Sequence, residues 1–162
     1  MGTIMQVGII TISDRASSGV YEDLGGPALE QAAFDYGWEV AASAIVPDDI
    51  DRIQEAILSF GAQGCGLILT TGGTGVAERD VTPEAVRGIM RVEIPGFGEI
   101  MRAKSFEITP NGILSRSLAA IVRTSLVIAL PGKPKGAVEC LGFVRGAIDH
   151  TVKLAQNLPT SC

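Results

Sequence analysis

Histidine is almost missing from this chain: His150 is the only one in 162 residues. Catalysis by a histidine base and histidine-rich metal centres are therefore poor starting points. Cysteine is scarce too. Cys65, Cys140 and Cys162 form an odd set without a CxxC spacing, which argues against a structural zinc site or a disulfide framework and leads to an expectation of three free thiols. Aromatic residues make up only 5%, and Tyr36, Trp38 and Phe97 read as core or turn residues rather than a ring-stacking platform. No basic run exists and the net charge is -5, so no global field would draw in nucleic acid. An anionic ligand must be held by a local site. No apolar run is long enough to span a bilayer, and no basic segment followed by an apolar signal core opens the chain. Neither GxGxxG nor GxxxxGK[ST] occurs, so the common dinucleotide and P-loop fingerprints do not apply. The reading is a reduced, cytoplasmic, single domain over residues 1–162, with neither nucleic acid nor membrane as partner.

What is present is a 46% hydrophobic chain in which short apolar runs alternate with amphipathic stretches. Strands are expected at Gln6 to Ser13, Trp38 to Val46, from Leu67, and at Leu126 to Leu130. Ala16 to Gly26 reads as a polar loop, followed by a helix opened by Pro27. A second helix carries Ile50, Ile53, Ile57 and Phe60 on one stripe, and either Asp48 or Asp49 can cap it. Pro83 to Arg91 and Glu99 to Phe106 read as helices, with Pro95 to Gly98 and Thr109 to Gly112 as turns. Leu118 to Val122 fits a helix or a buried strand equally well. A last helix carries Ala137, Leu141, Val144, Ile148 and Val152. Strands alternating with helices predict an α/β fold whose mostly parallel sheet is covered on both faces.

The chain is organised around Leu67 to Glu84. A short buried strand runs into Thr71-Gly72-Gly73-Thr74-Gly75, then Arg79-Asp80, then Thr82-Pro83 at a helix start, where the threonine hydroxyl is able to cap. Glycines let the backbone turn sharply and approach a ligand. Loops at the carboxyl ends of parallel strands are where such sheets bind ligands. A loop of amides beside one carboxylate suits phosphates and a divalent metal. Asp80 reads either as a metal ligand or as a solvated charge. Asp48 and Asp49 read as caps, yet the topology lets Asp14, Asp48 and Asp80 converge on one sheet edge. Pro131-Gly132-Lys133-Pro134-Lys135-Gly136 is a second strand-to-helix loop, where an anion would rest on the lysines and on the amides of Gly136 and Ala137. Ser115-Arg116 is a candidate phosphate clamp or a surface charge.

Taken together, Ile12 to Tyr21, Val46-Pro47-Asp48, Thr70 to Ala85, Pro95 to Glu99, Ile113 to Arg116 and Leu130 to Lys135 resemble the Mog/MoaB proteins of molybdenum-cofactor synthesis, a group that includes the G domain of gephyrin. The Mog branch is the more similar, through Ser13-Asp14-Arg15 and Arg79-Asp80-Val81-Thr82, although some Mog proteins continue further after the last helix. The resemblance implies a three-layer α/β/α fold, a homotrimer, and a molybdopterin adenylyltransferase that uses Mg²⁺ and ATP ahead of a molybdate-insertion protein. It implies catalytic and metal-holding roles for Asp48 and Asp80. It implies substrate and nucleotide contacts at Ser13, Asp14, Thr71, Gly72, Gly73, Thr74, Gly75, Ser115, Arg116, Pro131, Gly132 and Lys135. A pterin carrier of the same fold without adenylyl transfer, MoaB-like, is the competing reading.

Overall fold

The computed structural model describes residues 2–161. Among these residues six strands form one sheet: β1 (Gln6–Ile12), β2 (Glu39–Val46), β3 (Leu67–Thr71), β4 (Val92–Glu93), β5 (Leu118–Val122) and β6 (Ser125–Leu130). The helices are α1 (Asp14–Ser17), α2 (Gly25–Asp35), α3 (Ile50–Ala62), α4 (Thr82–Ile89), α5 (Pro95–Ile108) and α6 (Pro134–Ala155). The strand order is β2-β1-β3-β6-β5-β4. β1 runs parallel to β2 and β3, and β3 parallel to β6, while β5 is antiparallel to both β6 and β4.

The period-2 alternation of the central strands divides the core in two. Leu67 and Leu69 pack with Leu29, Met101, Leu141 and Ile148 beneath α2, α5 and α6. Ile68 points the other way, to Ile53, Ile57 and Val86 beneath α3 and α4. All five β3 residues are buried, as expected of a strand covered on both faces. The three-layer α/β/α architecture implied by the resemblance is the architecture observed.

The structure corrects three local readings and resolves one that the sequence left open. The expected polar loop begins with the short helix α1, because the Ser13 hydroxyl accepts from the Ala16 amide at 3.1 Å and caps it. Pro95 to Gly98 is not a turn but the first turn of α5, where proline's missing N–H costs nothing. Leu118 to Val122 is a strand: both of its edges are paired, which an Ala-rich sequence does not reveal by itself. Thr82 does not cap α4. Val81 precedes that helix without a side-chain cap, and the buried Thr82 hydroxyl donates instead to the Gly72 carbonyl at 2.9 Å. Cys65 and Cys140 are buried free thiols, whereas Cys162 lies outside the described residues.

The topology places the site. From β1 the chain crosses to β2 on one side and then to β3 on the other, so the loops after β1 and β3 diverge and leave a crevice between them. The crevice is only as rigid as β3 beneath it. Leu69→Ala, at a fully buried central position, should cost about 2–5 kcal/mol in urea unfolding. A loss well below that range would mean the core under the loop collapses to fill the space.

Candidate active site

The loop after β3 is shaped by two left-handed glycines, Gly72 (φ +105°) and Gly73 (φ +69°). A Cβ on Gly72 would lie 2.2 Å from the Ile12 carbonyl oxygen, and one on Gly73 would lie 2.3 Å from the Thr82 hydroxyl. Neither position has room for a side chain, and both conformations disfavour one. The Gly72 amide donates to the Leu130 carbonyl at 3.2 Å, and the Thr82 amide donates to the Gly73 carbonyl at 3.1 Å. Thr71 donates its hydroxyl to the Pro131 carbonyl at 2.7 Å, joining this loop to the one after β6.

Two clefts flank the loop. The first, about 260 Å³, is lined by Ser13, Asp23, Asp48, Thr71, Gly72, Gly73, Asp80 and Gly132, among others. The second, about 470 Å³, is lined by Thr74, Gly75, Ile108, Asn111, Leu114, Ser115, Pro131, Lys133, Lys135 and Glu139, among others, and it also reaches Gly132. The first is small and bears carboxylates. The second has an apolar floor with two lysines beside it. Lys135 is 88% exposed and only loosely paired with Glu139, at 3.9 Å. The α6 start is less open than expected, because the Ala137 amide is already taken by the Lys133 carbonyl at 2.9 Å.

The three aspartates do converge, each held differently. Asp14 and Asp48 are tied reciprocally: the Asp14 amide donates to Asp48 Oδ2 at 2.9 Å, and the Asp48 amide donates to Asp14 Oδ1 at 3.0 Å. Arg79 clasps Asp14 with two bonds of 2.9 and 2.8 Å. Asp14 thus faces Arg79 and the β2 end, and it does not line either cleft. Asp49 caps α3 by accepting from the Arg52 amide at 3.0 Å, which leaves Asp48 as the aspartate of the pair that faces the first cleft. Asp80 accepts from the Ala77 amide through Oδ2 at 3.0 Å. That oxygen lies 2.7 Å from where a Cβ on Gly75 would stand.

Arg116 is not free to meet a ligand. Its Nε donates to the Gly75 carbonyl at 2.8 Å, Nη2 donates to the Asp80 carbonyl at 2.6 Å, and Nη1 pairs with Glu84. The guanidinium holds the Glu84 carboxyl below the usual carboxylate range. Asp48 moves the opposite way. Burial pushes its pKa up; the Asp14 amide opposes this, the Asp14 and Asp80 charges add to it, and Arg79 opposes it.

Asp23 escaped the sequence reading. It accepts from the Thr11 hydroxyl at 2.9 Å and from the Gly26 amide at 3.1 Å, and it lines the first cleft. The available signal was an aspartate three residues ahead of an amide at a helix start, the spacing of a capping bond. Tyr21, Leu24 and Gly25 line the same cleft without any local signal.

Comparison with known proteins fits this geometry. Residues 8–150 match the family model described as a probable molybdopterin binding domain. The chain belongs to that family. A molybdopterin adenylyltransferase from Helicobacter pylori (strain J99) is 44% identical over 153 residues, 93% of this chain and 87% of that one. One from Escherichia coli (strain K12) is 42% identical over 152 residues, covering 91% and 77%. The crystal structure of the molybdopterin biosynthesis enzyme MoaB from Thermus thermophilus superposes with a TM-score of 0.89 at 38% identity, covering 98% of this chain and 100% of that one. The fold is therefore shared with a MoaB protein and does not by itself separate the two branches.

The raised Asp48 pKa has a consequence for stability. The folded state binds a proton at Asp48 more readily than the unfolded state does, so the ionised carboxylate is destabilising. That penalty is absent below the ordinary value of 3.8, grows as pH rises from there toward the raised folded value, and is complete above it. In metal-free buffer, Asp48→Asn should raise Tm at pH 7, and the gain should shrink toward acid pH. A gain independent of pH would show that burial of the charge is not its source.

Proposed function

We propose that this protein is a molybdopterin adenylyltransferase. It transfers AMP from ATP to the phosphate of molybdopterin and releases pyrophosphate. The observation that carries this reading is the pair of clefts on either side of one glycine loop, with Asp48 and Asp80 in the first, in a chain 44% identical to a relative of that name. A transfer between two phosphate-bearing molecules needs two neighbouring seats and a shared wall that tolerates negative charge.

The chemistry asks little of a base. The attacking molybdopterin phosphate oxygen is already ionised at neutral pH, so it attacks the α-phosphorus of ATP directly as the bond to pyrophosphate breaks. The near absence of histidine is no obstacle. The chain's task is to orient two polyanions and to offset their charge. The apolar floor of the second cleft, with Ile108 and Leu114, suits a flat heterocycle, and Lys133 and Lys135 beside it suit the attached phosphates. Gly72 and Gly73 line the first cleft, where a phosphate would meet the glycine-loop backbone.

Asp48 and Asp80 fit Mg²⁺. They are hard oxygen donors in one cleft, and two carboxylates are the usual protein share of a site that substrate phosphates and water complete. Among the described residues no group of three or more His, Cys, Asp or Glu side chains is placed to hold a metal. When bound, the ion would neutralise charge on the triphosphate. The reading extends to a cytoplasmic homotrimer that hands its product to a molybdate-insertion protein, as the family resemblance implies; no helix among the described residues is long and apolar enough to cross a membrane.

A carrier that binds molybdopterin without adenylylating it is the second reading, kept because the fold is shared with a MoaB protein and does not separate the two branches. Incubation with molybdopterin, ATP and Mg²⁺ decides between them: adenylyl-molybdopterin supports the enzyme, and bound pterin without AMP transfer supports the carrier. Asp80→Asn should lower the transfer rate about 100-fold or more while pterin affinity holds or tightens slightly. A rate near wild type would make Asp80 a solvated charge. Sedimentation equilibrium should return a trimer mass at micromolar concentration, and a monomer mass would refute the assembly.

A further inference from the structure

The lobe from Gly75 to Asp80 carries a proposed catalytic carboxylate on a piece of chain with little support of its own. Residues 76–79 are exposed and form neither strand nor helix. Inside the lobe the Ala77 amide donates to Asp80 Oδ2, and the Asp80 amide donates to the Ala77 carbonyl at 3.0 Å. These bonds close the lobe on itself, and Arg79 within it reaches out to Asp14 as an exposed, solvent-screened pair, but the backbone at its two ends is left to be held from elsewhere. Arg116 holds both. One planar guanidinium bridges the Gly75 carbonyl at one end and the Asp80 carbonyl at the other. It is itself steadied by Glu84 on α4. The Arg116 amide adds a bond to the Thr74 carbonyl at 2.8 Å, so the segment before β5 is stitched to the glycine loop by backbone and side chain together. Only a rigid fork with donors in several directions can span such a set.

We propose that Arg116 is a positioning residue for adenylyl transfer, which sets the direction of the Asp80 carboxylate by clamping the two ends of its lobe. This rests on the reading of Asp80 given above. A phosphate clamp would present its donors to a ligand, whereas the Arg116 donors are directed to two backbone carbonyls and one carboxylate of the protein. Lysine at this position keeps the charge but offers one compact ammonium, which cannot bridge both lobe ends and Glu84. The side chain is 32% exposed, so the exchange requires no repacking of the core.

Arg116→Lys should lower kcat about 100-fold, the scale of loss for a misplaced catalytic group, with KM for both substrates held within about threefold. In an Asp80→Asn background the same change should cost about twofold or less, since the group it positions is already disabled. A raised KM, with a loss that is equal in both backgrounds, overturns the proposal in favour of direct phosphate contact. Amide hydrogen exchange tests the clamp without any activity. In Arg116→Lys the Ala77 and Asp80 amides should exchange faster while those of β3 stay protected. Unchanged exchange at Ala77 overturns the proposal even if the wild-type protein transfers no AMP. Absent transfer by the wild type alone overturns only the functional reading. Should Arg116→Lys fail to fold, Arg116→Gln, which keeps a planar group with one donor end, carries the same exchange measurement.

Discussion

Everything at the site depends on the absence of side chains where the loop after β3 crosses the end of β1. Gly72 lies so close to the Ile12 carbonyl that a single added carbon would sit 2.2 Å from it. Its amide reaches the other way, to the Leu130 carbonyl at the end of β6. One residue therefore bonds the end of β3 to the end of β6 and lies tight against the end of β1, in a left-handed conformation that glycine alone adopts without strain. The close approach lets the next turn bring Gly73 and Thr82 together. The Thr82 hydroxyl satisfies the Gly72 carbonyl, which would otherwise be a buried acceptor left unpaired.

On this frame, the electrostatics are balanced against stability. Three aspartates are drawn to one edge of a net-negative protein, and Arg79 and Arg116 are the nearby cations that the structure commits to holding them or their lobe. Arg79 bonds Asp14 and touches Asp48 only through its charge, and the exposed Arg79–Asp14 pair is worth little in itself because solvent screens it. Its value lies in geometry: Asp14 is held so that two amides and two carboxylates exchange bonds across the ends of β1 and β2. Asp48 remains under-compensated, with burial and like charge raising its pKa against one amide bond and a nearby arginine. A group left costly in the resting fold is a common mark of a site shaped for a ligand rather than for stability. A divalent cation brought by a nucleotide is the kind of charge that would relieve it.

Much of this was legible from single residues. The run Leu67 to Leu69, the glycines after it, and the Pro83 helix start are local features, and each behaves much as its local chemistry requires. The convergence of Asp48 and Asp80 was legible by one further step, since a parallel sheet brings its strand ends to one edge. Other features were hidden. Asp49 rather than Asp48 caps α3, and the two are adjacent with the same side chain, so composition does not tell them apart. Arg116 reads from sequence as a candidate clamp for phosphate because nothing local reveals that Gly75, Asp80 and Glu84 lie within its reach. Asp23 joins the site through Thr11, twelve residues away in the chain.

The sequence alone determined the alternation of strands and helices, a sharp glycine turn after the buried strand, and an inventory with one histidine, no CxxC spacing and no P-loop fingerprint. Those properties follow from backbone sterics, hydrophobic period and residue inventory, which act over a few neighbouring residues. Tertiary structure decided that Leu118 to Val122 is a strand, that Thr82 binds Gly72 instead of capping its helix, and that Arg79 and Arg116 direct their donors to groups of the protein. These outcomes depend on which partners are brought within about 3 Å, the range of a hydrogen bond, and a linear order of residues does not carry that distance.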